Sequence, residues 1–345
     1  ALPGVAGLVF MLCVTSFTIV LTLGGGPRAT TLEVAIYQAL RFDFDPARAV
    51  ALTLVQVALT VAAVAAMARL GASPTGEASL ALAPRRYDRP SPAGTALDAV
   101  LIAAAVLFVA GPMAATVVAG LEADLGRLAT EARVRDAAAT SLLLAAAAAT
   151  LSAALSLALV AMRRRLETAR SSSRAGLLAR LLEWAAGNGA LFVLVVPPTV
   201  IGAGWFILLL PAGMVFAAAP VMVVAVMAMP FAVRAIRPAH DAAAARHDRL
   251  AAQLGIAGWA RLRLIDWPVL RRPLFTALAF AMALSLGDLG VIALFGSESV
   301  RTLPYLLMER MGSYRTQDAA GLALMLGALC LALMAAANRL GRERA

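Results

Sequence analysis

The sequence predicts an all-α, polytopic transmembrane helix bundle. Three observations support this fold class. Hydrophobic residues make up 61% of the 345 residues and charged residues only 14%, whereas soluble domains carry about 25% charged residues. Apolar runs recur along the chain at lengths near the ~20 residues that a helix needs to cross a bilayer. The charges gather in the stretches between these runs. We therefore expect the lipid bilayer to surround most of the chain.

Eight apolar segments are long enough to span a membrane: 4–23, 49–68, 98–121, 138–162, 189–210, 213–236, 273–295 and 320–337. Arginine placement predicts their orientation, because short loops rich in basic residues stay in the cytoplasm. Residues 163–180 hold six arginines and residues 237–272 hold seven, whereas the alternate loops are balanced or acidic. Both termini of the sequence are thus predicted to be cytoplasmic.

A repeated pattern divides the spans into two units. At an offset of 271, residues 21–40 align with residues 292–311 without a gap, and Thr31-Leu32 meets Thr302-Leu303. Each copy lies between an outward-going and an inward-going span, which predicts two parallel repeats related by an axis along the membrane normal. The second unit has six spans and the first shows two. We therefore expect a missing upstream part with about four more, which makes eight spans of twelve.

The units are joined by a stretch rich in Gly, Pro, Ala and Ser. On this division residues 1–69 hold the last two spans of the first unit, and residues 70–97 form a flexible cytoplasmic linker. Residues 98–338 form the second unit, and residues 339–345 form a cytoplasmic tail.

Composition also excludes several functions. All 30 basic residues are arginine, so the lysine of a phosphate-binding GxxxxGK[ST] loop is absent and any ATPase must lie on another chain. The net charge of +10 follows from the loop arginines and is a topology signal, not a sign of nucleic-acid binding. His240 and His247 have no Cys or acid at ligand spacing, so we expect no metal site. No cofactor motif is present, and we expect a protein that is not an enzyme.

The charged stretch 240–268 is too long for a simple turn between spans. Its apolar residues recur with helical periodicity, Gly255 is placed to end one helix, and Pro268 is expected to stop the next. The prediction is a cytoplasmic helix–turn–helix with an apolar face and a charged rim, which is typical of a docking surface. A solvated amphipathic loop is the alternative.

This spacing resembles the EAA loop of ABC-importer permeases, whose pattern is Glu-Ala-Ala, three residues, Gly, nine residues, Ile-x-Leu-Pro. Gly255, Ile265 and Pro268 fall in register, and Ala251 takes the place of the second Ala. Arg249 stands where the pattern has Glu. The resemblance implies a coupling helix that fits a groove on a cytoplasmic ATPase subunit.

Three further stretches narrow the resemblance: 15–49, 261–274 and 285–320 are similar to the bacterial thiamine and thiamine pyrophosphate importer permeases. The resemblance implies a type-1 ABC importer permease fold in the bacterial inner membrane. It also implies two ATPase subunits and a periplasmic thiamine-binding protein as partners. A permease of the same family for ferric iron or another small solute is the first alternative.

Polar residues at membrane depth are candidates for the translocation pathway. Asp288 could attract a cationic solute, because an ionisable residue inside a bilayer is costly and usually faces a cavity or a partner. It could equally cap a kinked helix. Ser16, Thr18 and Ser285 lie at comparable depth and could line the pathway or join neighbouring helices. A secondary transporter would need such residues for ion coupling, but it would leave the 240–268 loop unexplained. An intramembrane enzyme would need converging catalytic residues, which are not found.

The loops at the predicted outer face form a candidate rim for the binding protein. Residues 27–48 and 297–319 carry balanced charges that would suit docking through salt bridges. These include Asp43, Asp45, Arg301 and Arg315. Ordinary solvated loop charges explain them almost as well.

Overall fold

The computed structural model describes the chain apart from residues 1–8, 11, 12, 15, 24–29, 70–91, 171–180, ten positions between 183 and 197, 210–214, 257, 296–299 and 343–345. The regular elements in the described part are all helical. In chain order they are α1 (Thr18–Leu23), α2 (Leu32–Arg41), α3 (Pro46–Arg69), α4 (Pro92–Leu121), α5 (Leu125–Thr130), α6 (Ala132–Arg170), α7 (Pro198–Leu209), α8 (Val215–Gln253), α9 (Gly258–Arg261), a π-helical turn (Leu262–Asp266), α10 (Trp267–Gly287), α11 (Gly290–Phe295), α12 (Leu303–Gly312) and α13 (Thr316–Arg342).

Six stretches of the described chain are long and apolar enough to cross a membrane. They lie in α3, α4, α6, α8, α10 with the turn before it, and α13. They account for six of the eight predicted spans and confirm the all-α membrane bundle. The other two predicted spans, 4–23 and 189–210, fall partly outside the described residues, and α1 and α7 are their described helices.

Several helix ends differ from the prediction. Helix α4 begins at Pro92, inside the stretch 70–97 that was predicted as linker. The predicted span 273–295 is broken, because α10 ends at Gly287 and α11 begins at Gly290. Asp288 causes the break: its backbone is extended, with ψ 108, and its Oδ1 accepts a hydrogen bond from the Val291 amide at 3.3 Å. A side chain that caps a new helix start in this way competes with continuation of the first helix.

The bundle is built on α6, α8 and α10, which pack against one another, with α13 against α10 and α4 against α13. The first unit joins this bundle through α2, which contacts α7 and α11. The largest buried apolar cluster lies at this junction and combines Ile36 and Leu40 of α2 with Val223 of α8 and Leu294 and Phe295 of α11. The two units therefore share one core at this place.

The repeat seen in the sequence returns as matching helices. α2 and α12 each have ten residues and coincide at the offset of 271, and each follows a threonine, Thr31 or Thr302. Each is followed by an aromatic residue in the left-handed region, Phe44 with φ 51 and Tyr314 with φ 59, before the next long helix begins. The threonines differ in detail, since only the side chain of Thr31 accepts a hydrogen bond from the helix it precedes.

Candidate functional site

A polar cluster lies buried where the two units meet. Glu33 projects from the first turn of α2 and its side chain is 0% exposed. Thr199, in the first turn of α7, is 4% exposed. The Thr199 hydroxyl faces the Glu33 carboxyl, but neither side chain makes a hydrogen bond of good geometry among the described residues. A buried polar group without a partner costs roughly 1–3 kcal/mol, and an ionised one costs more. The bundle thus tolerates an unfavourable feature here.

The electrostatics of Glu33 follow from its surroundings. Burial raises the pKa of Glu33 from 4.5 to about 8, and the nearby Asp288 carboxylate raises this pKa too, while the facing Thr199 hydroxyl opposes the shift. Burial disfavours the charged form because a low-dielectric interior replaces the water that solvates a carboxylate. Glu33 is therefore largely protonated at neutral pH in this conformation.

Two aromatic rings border the carboxylates. Phe17 and Tyr37 form an edge-to-face pair with ring centroids 5.4 Å apart. A Cβ atom placed on Gly290 would lie 3.2 Å from Phe17 Cδ1 and 3.5 Å from Asp288 Oδ1, so this ring lies beside the Asp288 carboxylate. Phe17 and Tyr37 are almost fully buried, whereas Asp288 is partly exposed. The Asp288 carboxyl itself is desolvated, so the cluster is shielded from solvent in this conformation.

Glu33 was missed by the sequence reasoning, although a signal was present. In the α2 sequence LEVAIYQALR it falls on the same stripe as Ile36, Tyr37 and Leu40, at spacings of three, four and seven residues. An acidic residue on the apolar stripe of a helix indicates a buried carboxyl group. Thr199 had no comparable signal.

The other predicted pathway residues differ in their surroundings. Ser285 borders a cavity of about 10 Å³ with Ser141 and Thr302, which is room for one water molecule. Ser16 is partly buried and Thr18 is exposed at the start of α1. Within the described residues, no group of three or more His, Cys, Asp or Glu side chains is placed to hold a metal ion.

The second feature is the hairpin at the arginine-rich end of the bundle, where α8 turns back toward α10. Helix α8 runs without interruption from Val215 to Gln253, so the first arm of the predicted helix–turn–helix is a continuation of a membrane helix. The chain then reverses at Gly255, whose φ of 65 lies in the left-handed region. The Ile256 amide donates to the Ala251 carbonyl at 2.9 Å, a bond typical of a glycine-ended helix.

Pro268 does not end the second arm, contrary to the prediction. It lies in the first turn of α10, which follows directly on the π-helical turn Leu262–Asp266. Proline is tolerated there because the amides of a first turn have no acceptor within their own helix. The second arm therefore runs straight into the next membrane helix.

The tip of this hairpin exposes a row of large apolar side chains to solvent. Leu254 is 64% exposed and Trp259 is 75% exposed; Leu250, Leu262, Leu264 and Trp267 are exposed as well. We call these six residues the hairpin face. Of the motif positions, Arg249 and Pro268 are also exposed, Ile265 is partly buried and Ala251 is buried. Exposed apolar patches rimmed by charge are typical of interaction surfaces.

Ion pairs hold the hairpin against the neighbouring helix. Asp248 accepts hydrogen bonds from Arg261 at 2.6 Å and from Arg164 of α6 at 3.4 Å. Two turns earlier, Asp241 accepts from the buried Arg163 of α6 at 2.7 Å. These ion pairs tie the hairpin to α6.

At the opposite end, the predicted rim residues differ in their contacts. Asp43 pairs with Arg48 at 2.9 Å, and Asp45 caps α3 by accepting from the Arg48 amide. Arg301 is partly buried, whereas Arg315 is exposed. The firm ion pairs of this end involve other residues: the buried Arg310 pairs with Glu131 and with Asp318.

Comparisons with known proteins show which sequences this chain is similar to. Residues 175–342 match the family described as binding-protein-dependent transport system inner membrane component. The whole chain is 59% identical to the thiamine transport system permease protein ThiP of Brucella abortus (strain 2308) and covers 62% of that relative. It is 39% identical to the protein of the same name from Escherichia coli (strain K12), with 98% of this chain and 62% of the relative aligned. It is 34% identical to the protein of the same name from Haemophilus influenzae, with 95% of this chain and 60% of the relative aligned. The chain thus spans about three fifths of the length of these relatives.

Proposed function

The chain belongs to the family of binding-protein-dependent transport system inner membrane components, and we propose that it is the permease of an ABC importer for thiamine and its phosphate esters. The observation that carries the proposal is the 59% identity, over the entire chain, to a thiamine transport permease. The proposed location is the bacterial inner membrane. Because basic loops remain in the cytoplasm, we place the arginine-rich end and both observed termini on that side.

The proposed mechanism is alternating access driven by ATP on partner chains. A periplasmic binding protein delivers the solute to the opposite end, where Asp43, Asp45, Arg301 and Arg315 are candidate contacts. Two cytoplasmic ATPase subunits engage the hairpin, with Arg249, Ala251, Gly255, Ile265 and Pro268 at the motif positions. Since α8 is continuous from the bundle core to the hairpin, a push on the hairpin tilts the helix that lines the junction of the two units.

The hairpin supports ATPase coupling over secondary transport. Its apolar face is exposed. The ion pair between Asp248 and Arg261 joins its two arms. A secondary transporter would have no use for such a surface. Catalysis by this chain itself is not proposed, and ATP hydrolysis is assigned to the separate subunits.

Gly255 offers a sharp test of this assignment. A Cβ atom on Gly255 would meet nothing within 4 Å, so a substitution acts through backbone conformation and not through a clash. Non-glycine residues lose roughly 1–2 kcal/mol in the left-handed region, with Asn tolerated best. We expect Gly255→Val to lower thiamine uptake severalfold or more, and Gly255→Asn to retain most of it.

Uptake of labelled thiamine is measured in a strain that lacks its own thiamine permease but has the partner ATPase and binding protein. Ferric iron and putrescine are the control solutes, and the membrane level of each variant is checked by immunoblot. An assembled transporter that moves no thiamine would refute the substrate. Uptake that is indifferent to Gly255→Val would refute the coupling role and favour a secondary transporter.

A further inference from the structure

We propose that Glu33, Asp288 and the Phe17–Tyr37 ring pair form a recognition point for a cationic aromatic ring in the translocation pathway. The thiazolium ring of thiamine is such a group, so the inference rests on the proposed function and deepens it. Glu33 and Tyr37 belong to α2 of the first unit, whereas Asp288 belongs to the break between α10 and α11 of the second. The point would therefore be assembled by both units.

The first step is the state of Glu33. Its side chain is fully buried, and its carboxylate oxygens make no hydrogen bond of good geometry among the described residues, with the Thr199 hydroxyl as their polar neighbour. A leucine at this position would fill the same space without a polar atom to desolvate. Packing alone does not explain a buried carboxyl at this position. Binding of a cation does explain it.

The second step is the chemistry around it. Asp288 is close enough to influence Glu33 electrostatically, and the Phe17 ring lies beside Asp288. Tyr37 follows Glu33 by one helical turn on the same stripe and contacts Phe17. Carboxylates attract a cation by charge, and aromatic faces attract it through the ring quadrupole, by roughly 0.5–2 kcal/mol per contact. The two together suit a flat, positively charged ring better than a metal ion, which prefers a shell of oxygen ligands.

The third step is the asymmetry of the repeat. At the offset of 271, Glu33 falls on Pro304 and Asp288 falls on Phe17. Neither carboxyl is therefore duplicated by the other copy, so the cluster is not a by-product of the repeated fold. Each unit contributes one acid, and the two acids are close enough to interact electrostatically.

The fourth step is access. Glu33, Phe17 and Tyr37 are buried between α2, α7 and α11, whereas Asp288 is partly exposed. Both carboxyl groups are desolvated in this conformation, so a solute reaches them when the two units part. Alternating access requires such a separation at the interface between repeats. Hydration on opening favours the charged form of Glu33, which then attracts the cation.

The test compares two solutes in the complete transporter, reconstituted in liposomes with its ATPase and binding protein. One solute is thiamine, and the other is a thiamine analogue in which a neutral thiophene ring replaces the thiazolium. We expect Glu33→Gln to lower the initial rate of thiamine uptake roughly tenfold or more and to change analogue uptake less than twofold. Glu33→Asp, which keeps the charge, should retain at least half of the thiamine rate.

Two controls separate recognition from folding. Asp288→Asn keeps an oxygen that can cap α11, and it should shift the preference between the solutes in the same direction. Glu122→Gln removes an exposed carboxyl outside the cluster and should leave the preference unchanged. Variants are compared at equal membrane level and equal ATPase rate without solute.

Three results would overturn the inference while leaving the proposed function intact: Glu33→Gln equal to the wild type, equal losses in Glu33→Gln and Glu33→Asp, or equal losses for both solutes. A wild-type transporter that moves no thiamine would instead remove the proposed function, and the inference with it.

Discussion

Replacing Glu33 by glutamine should make the protein more stable at neutral and alkaline pH. Burial of Glu33 raises its pKa from 4.5 to about 8; the neighbouring Thr199 hydroxyl opposes this shift, and the Asp288 carboxylate adds to it. In the unfolded chain this carboxyl loses its proton near pH 4.5, whereas in the folded chain it keeps the proton until about pH 8. The folded state therefore binds more protons across this window, and stability falls as the pH rises through it.

The magnitude follows from the width of the window. Each pH unit between the two pKa values lowers the free energy of unfolding by about 1.4 kcal/mol. The full interval from 4.5 to about 8 corresponds to about 5 kcal/mol, of which about 3 kcal/mol falls between pH 6 and pH 8. Glutamine has nearly the same shape and no proton to lose. The variant should therefore lack this loss and gain stability relative to the wild type as the pH increases.

The assay is thermal unfolding of the purified transporter in detergent at half-unit steps from pH 5 to pH 9. We expect the melting temperature of Glu33→Gln to exceed that of the wild type by several degrees at pH 8, and the two curves to converge toward pH 5. Glu122→Gln, at an exposed carboxyl, should follow the wild type throughout. Parallel curves for Glu33→Gln and the wild type would refute the reasoning, since they would mean that Glu33 keeps an ordinary pKa in the folded protein.

Two further predictions concern packing and charge. Arg310→Met should lower the free energy of unfolding by about 1–3 kcal/mol, because Glu131 and Asp318 lose a buried arginine and keep only the half-exposed Arg127 as a partner. Arg133→Met, at an exposed site, should change it by less than about 0.5 kcal/mol. Equal melting temperatures for both variants would contradict the assignment. Gly120→Ala should destabilise the α4–α13 crossing by about 1–3 kcal/mol, since its Cβ would lie 2.7 Å from a side-chain carbon of α13. Gly111→Ala in the same helix meets nothing within 4 Å and should be neutral or slightly stabilising. Chemical denaturation of the two variants checks this pair, and identical midpoints would show that the close crossing is not formed.

Hydropathy and local patterns were sufficient to predict the class of fold and much of its layout. A helix that crosses a bilayer must be apolar along its whole length, so composition within a 20-residue window identifies it without knowledge of its neighbours. The same locality explains why the turn at Gly255 was predicted, since a left-handed residue is a property of a few adjacent bonds. The sequence repeat at an offset of 271 aligns the segments that form α2 and α12.

The break at Asp288 was harder to predict, because a Gly-flanked acid can either continue or interrupt an apolar helix. The outcome depends on whether its side chain turns back to cap the next segment, as it does through the Val291 amide. The prediction that Pro268 ends a helix was wrong for a related reason. A proline stops a helix from its interior but starts one from its first turn, and the sequence around it fits both.

What the sequence determined by itself was the division into spans, the repeat, the arginine-rich end and the hairpin turn, because each depends on residues close together in the chain. Only the tertiary structure decided which helix faces meet. It placed Glu33 of the first unit near Asp288 of the second, and it paired the buried Arg310 with Glu131 and Asp318. Hydropathy contains no information about such partners, since apolar helices can pack on several faces with similar burial of surface. The choice among those faces depends on shape and charge across the whole bundle, and it is this choice that assembles the candidate site.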